Sequence, residues 1–135
     1  MPTEARWLIR TALLYLKLGL GLGLVRAGQG AGALPGSPAT LWLPQLHALT
    51  VGWITQLIFG VAFWLFPRPT SGEQGTLVVW IAYGSLNAGL VLRLVGEPVS
   101  TLGAVRAWLL VTAAALQWGA SLLLVGYFWR RVDTK

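Results

Sequence analysis

LHALTVGWITQLIFGVAFWLFPR, residues 46–68, carries no charged residue until its final arginine. About 20 mostly apolar residues are what an α-helix needs to cross the hydrocarbon core of a bilayer. Three further stretches meet the same requirement, giving expected spans at residues 7–25, 41–66, 76–95 and 104–129. Composition agrees: hydrophobic residues make up 56% of the chain and charged residues 10%, whereas a soluble domain has roughly 25% charged residues. The connections "RAGQGAGALPGSPAT", "PRPTSGEQG" and "GEPVSTLG" are rich in turn formers, and Pro67 and Pro69 stop the second helix sharply. Short connections imply antiparallel sequential helices. The expected fold is a single domain, residues 1–135: an all-α membrane protein with a four-transmembrane-helix up-down bundle.

Orientation follows from the basic residues. Arg6, Arg10, Arg68, Arg130, Arg131 and Lys135 fall on the side of the two termini, against Arg26, Arg93 and Arg106 on the other. The excess places both termini in the cytoplasm of a multi-pass protein of the inner (cytoplasmic) membrane. Arg6 and Arg10 before an apolar run imitate a secretory signal, but Lys17 inside that run favours a permanent helix. The net charge of +6 does not point to nucleic acid, because the basic residues sit singly at helix ends and form no patch.

Several chemistries are excluded by residue supply. Cysteine is absent, and one histidine accompanies four acids, Glu4, Glu73, Glu97 and Asp133. Disulfides and thiolate sites are ruled out. No His/carboxylate cluster is expected within one chain, which leaves serine-histidine-acid catalysis and two-metal centres without their parts.

Small residues recur at four-residue spacing: Gly19 and Gly23, Gly52 and Gly60 around Gln56, Ser85 and Gly89, Ala115 and Gly119. Such pairs let helix backbones approach closely in a membrane. Of the aromatic residues, Trp7, Trp42, Tyr127 and Trp129 lie near helix ends as interfacial anchors. Trp53, Trp64, Trp80, Trp108 and Trp118 lie further in and either line a planar ligand or fill the core, the second being their ordinary use.

Polar residues at membrane depth are functional candidates. Lys17 sits near the middle of the first helix, where a cation is disfavoured by about 3 kcal/mol; it snorkels, bonds a carbonyl or faces an internal or intersubunit cavity. Gln56, Asn87 and Gln117 are expected to hydrogen-bond between helices. Arg93 ends the third helix on the same side as His47, placed to neutralise a carboxylate or to anchor at headgroups. His47 itself has three readings: a satisfied polar residue, a proton relay, or an axial ligand through a neutral ring nitrogen.

The opening stretch resembles the second transmembrane helix of the catalytic subunit of haem–copper oxygen and nitric oxide reductases. The resemblance rests on His47, Gly52, Trp53, Thr55, Gln56, Gly60, Phe66 and Pro67, and "LNAGLVLRLVGEP" at residues 86–98 is similar to the helix that follows. It covers mainly residues 42–98 and implies that His47 is an axial haem ligand near the outer end of its helix. The family's other metal-ligating histidines have no counterparts, and its catalytic subunit has about three times as many helices. A complete oxidase or reductase is therefore not expected of this chain alone.

The resulting expectation is an integral membrane protein binding haem b, with His47 on the iron and Arg93, Arg106 or Arg26 toward the propionates. Trp53 is the aromatic candidate beside the ring. One histidine supplies one axial bond, so a homo-oligomer, a dimer first of all, would provide the second from its own His47. Electron transfer or haem and gas binding would be the role. The alternative is a cofactor-free accessory or assembly subunit of a respiratory membrane complex, with a respiratory-chain protein as partner. A transporter using Lys17 is a third reading, but the chain lacks the inverted repeat common in such proteins.

Overall fold

The computed structural model describes residues 1–66 and 72–132. Among the described residues lie four long helices: α1 (Thr3–Gly30), α2 (Trp42–Leu65), α3 (Gly72–Gly96) and α4 (Gly103–Val132). All four are long and apolar enough to cross a membrane, the build of a multi-pass integral membrane protein. Most of the expected second connection, with Arg68, lies outside the described residues, as does Lys135.

Local chemistry sets the helix limits. α1 runs beyond its expected 7–25 at both ends; it then stops at a turn where Gly32 takes φ +73, a left-handed conformation that suits glycine. In α2, Pro44 sits in the first turn, where its missing N–H costs no helical bond. At the other end Phe66 is extended, with φ −82 and ψ 134, as the following Pro67 demands.

α1 packs on α2 through glycines. A Cβ on Gly60 would meet Leu8 and Ile9, one on Gly52 would meet Tyr15, one on Gly19 would meet Leu49, and one on Gly23 would meet Gln45. On α3, Gly89 lies against the Ala113 carbonyl and Gln117 of α4. The expected pairing of Ala115 with Gly119 makes no such seam: Ala115 is exposed and a Cβ on Gly119 would meet nothing within 4 Å.

One core cluster joins Ala5, Leu8, Phe63, Val79, Ala82, Leu86, Ala120 and Leu124, and a smaller one joins Tyr15, Ala48 and Leu90. The expectation that the inner tryptophans fill the core fails for three of them. Trp64, Trp108 and Trp118 are 58%, 70% and 69% exposed. Lipid is as apolar as a protein core, so nothing drives a large indole inward, and close helix contact favours small residues there.

α2 is not a uniform α-helix. Ala48–Thr55, beginning directly after His47, is a π-helical segment, with the Thr55 hydroxyl donating to the Thr50 carbonyl at 2.9 Å. Pro44, Ala48, Gly52, Gln56 and Gly60 are all buried, one every four residues. At about 100° per residue an α-helix would rotate that set by roughly 160° from first to last. The wider turn, closing bonds five residues apart and advancing roughly 80° per residue, removes most of this drift.

Candidate functional site: a histidine and a buried carboxylate at the end of the bundle

His47 and Gln56 are nine residues apart, which in a continuous α-helix would set them on roughly opposite sides. The π segment closes most of that angle, so that Gln56 reaches α3 and His47 the residue just after its end. The Gln56 amide donates to Asn87 Oδ1 at 3.2 Å, while His47 Nδ1 lies 2.9 Å from Glu97 Oε1.

Glu97 follows the last residue of α3 and precedes Pro98, and its side chain is 3% exposed. A carboxylate so buried needs partners. Arg93, one turn back on α3, donates from Nη1 to Glu97 Oε1 at 3.1 Å and from Nε to Gln117 Oε1 of α4 at 2.9 Å. Arg106 of α4 donates to the Gly96 carbonyl at 3.0 Å and the Glu97 carbonyl at 3.2 Å, satisfying acceptors that a helix C-terminus leaves open. Gln117, Arg93, Glu97 and His47 thus form one connected row across three helices.

The histidine's geometry fixes its tautomer. Nδ1 lies 3.0 Å from the Leu43 carbonyl as well as against the Glu97 carboxylate. Both are acceptors, so Nδ1 carries the proton, and in the neutral ring Nε2 holds the lone pair. Nε2 has no partner among the described residues, and the side chain is 21% exposed. A carbonyl or carboxylate on one ring nitrogen is the arrangement that orients a ligating histidine for a metal on the other.

The expected site residues do not all meet. His47, Arg93 and Arg106 converge around Glu97. Arg26 instead ties α1 to the start of α2: Nε donates to the Pro38 carbonyl at 2.9 Å, Nη1 donates to Gln45, and the guanidinium lies 4.7 Å from the Trp42 ring centroid. Trp53 is half-buried against the cluster of Tyr15, Ala48 and Leu90. An apolar cleft of about 530 Å³, lined by residues including Ile58, Phe59, Phe66, Phe128 and Trp129, lies toward the far end of α2 and does not adjoin His47.

Glu97 is the member of this row for which the sequence suggests no role. The expectation of no His/carboxylate cluster needs correcting to one His/carboxylate pair; no group of three or more metal-ligating residues occurs among the described residues. Its signal was the four-residue spacing from Arg93 on the side already assigned to His47. Gln56 and Asn87 do hydrogen-bond between helices as expected, and Gln117 does so through Arg93. Compared with family models, curated proteins and solved structures, the chain matches none.

Proposed function

We propose that this chain is a haem-binding protein of the inner membrane, a four-helix up-down bundle with both termini cytoplasmic, in which His47 Nε2 is an axial ligand of a b-type haem held between copies of the chain. The observation that carries the reading is the double anchoring of His47 Nδ1 on the Leu43 carbonyl and Glu97, which leaves the lone pair on a partly exposed Nε2. The donor set fits one axial bond. The second would come from the same histidine of a twofold partner. Arg93 and Arg106, each with N–H groups beyond those already bonded, stand at the same end of the bundle to meet propionates. Arg26 serves them only from the neighbouring α1–α2 corner.

The antiparallel order is supported by the contact registers: Gly60 to Ile9 and Gly23 to Gln45 between α1 and α2, His47 to Glu97 and Gln56 to Asn87 between α2 and α3. The cytoplasmic placement is supported by the excess of basic residues at the terminal ends. When bound through two histidines, haem supplies reversible one-electron transfer; with an open position it binds gases. Growth with haem supplied, followed by purification in mild detergent, tests the reading: a Soret band in the native protein that is lost in His47→Ala supports it, and no band even after reconstitution overturns it.

A second reading is favoured by the surface. Gly84 on α3 and Gly119 and Gly126 on α4 face open space, and Trp108 and Trp118, also on α4, stand exposed. Such a face can pack on a further transmembrane helix, which supports an accessory subunit of a larger respiratory complex without a cofactor of its own. Isolation only within such a complex, with His47→Ala preserving its assembly and activity, would select this reading.

A further inference from the structure

α1 turns Ala5, Leu8, Ala12, Tyr15 and Gly19 into the bundle. Its opposite face carries Leu14, Lys17, Gly21 and Leu24, all exposed, with Leu14 at 65% and Leu24 at 76%. Successive spacings of three and four set these residues in one stripe. A Cβ on Gly21 would meet nothing within 4 Å, so another backbone can come close at that point.

Lys17 is the anomaly on this stripe. It lies fourteen residues from Thr3 and thirteen from Gly30, at the middle of a 28-residue helix. With a hydrocarbon half-thickness of about 15 Å, a stem reaching about 6 Å does not bring its ammonium to either interface. Among the described residues Lys17 makes no hydrogen bond or ion pair. Among the described residues Lys17 bonds no carbonyl and faces no internal cavity, and it is too deep to snorkel, which leaves of its expected placements the one between chains.

We propose that this face of α1 is the docking surface for a transmembrane helix of a different protein, one carrying an aspartate or glutamate at mid-membrane depth. Charge complementarity selects the occupant. A lipid phosphate stays at the interface and does not reach this depth. A second copy has no acid to offer: Glu4 lies in the first turn of α1, Glu97 is buried against His47 and Arg93, Glu73 precedes the apolar span Leu77–Gly96, and Asp133 follows the span ending at Trp129. An intramembrane cation at the protein surface calls for a carboxylate from outside the chain. The inference stands independently of haem binding.

Photo-crosslinking residues at Leu14 or Leu24, introduced into the full chain in its native membrane, test it. The expected adduct is to a membrane protein whose crosslinked helix bears a mid-depth acid. Its yield should fall at least tenfold in Lys17→Leu and persist in Lys17→Arg. It should be lost when that acid is replaced by its amide and return when the two charges are exchanged. Adducts confined to lipid, to a second copy of this chain or to a helix without an acid would overturn the proposal. So would an unchanged yield in Lys17→Leu, a variant whose folding is checked by its melting temperature in detergent.

Discussion

Replacing Glu97 by leucine should leave Arg93 without its counter-charge at the end of α3. At the observed 3.1 Å, and with an effective dielectric near 20, the gross attraction is about 5 kcal/mol. Part of that only offsets the desolvation of a carboxylate that is 3% exposed and a guanidinium that is 20% exposed. Removing one partner of a buried pair typically costs about 3–5 kcal/mol; because Gln117 still accepts from Arg93 Nε, a loss of about 2–4 kcal/mol is expected for Glu97→Leu. Arg93→Leu should lose somewhat less, since His47 Nδ1 still donates to Glu97. The double replacement should fall well below the sum, with a coupling of about 2 kcal/mol, because an apolar pair leaves no stranded charge. Reversible SDS titration of the protein in mixed micelles gives the four stabilities. Additivity within about 0.5 kcal/mol would refute the view that the two charges depend on each other.

Other perturbations probe the packing and the helix phase. Gly52→Ala puts a methyl 2.5 Å from Tyr15 Cγ and should cost about 1–3 kcal/mol, whereas Gly126→Ala, facing open space, should gain up to about 1 kcal/mol; melting in detergent separates them. Gln56→Leu should cost about 1 kcal/mol in the same SDS titration through loss of its bond to Asn87. Deleting one residue within Ala48–Thr55 should return the segment toward an α-helix. In cysteine-pair variants, disulfide formation between positions 47 and 97 should then disappear while that between 56 and 87 survives; survival of both would show that the π segment does not set the phase of His47.

The helices were legible because bilayer crossing demands a long apolar run and nothing subtler. The end of α2 followed from Pro67, whose backbone limits act locally, whereas α1 continues past its expected end to a turn at Gly32. The π segment was not legible. ALTVGWIT has no residue that forces a wide turn. Within the site, His47 and Arg93 stood out as polar groups in apolar runs. Glu97 did not, because beside Gly96 and Pro98 it reads as a loop acid, and only the packing of α3 on α2 and α4 buries it. The inner tryptophans misled for the opposite reason, since burial rules drawn from water do not sort large side chains in lipid.

The central claim is that Glu97 and Leu43 hold His47 with Nε2 presented to an iron. Haem titration of the purified protein, followed by its Soret band, tests this most directly when wild type, Glu97→Gln and His47→Ala are compared. The account predicts a saturable band for wild type, an affinity weaker by about 10–100-fold for Glu97→Gln through loss of the charged acceptor behind the ring, and no axial-ligand spectrum for His47→Ala. Identical titrations for all three proteins, or no haem bound by any, would contradict it.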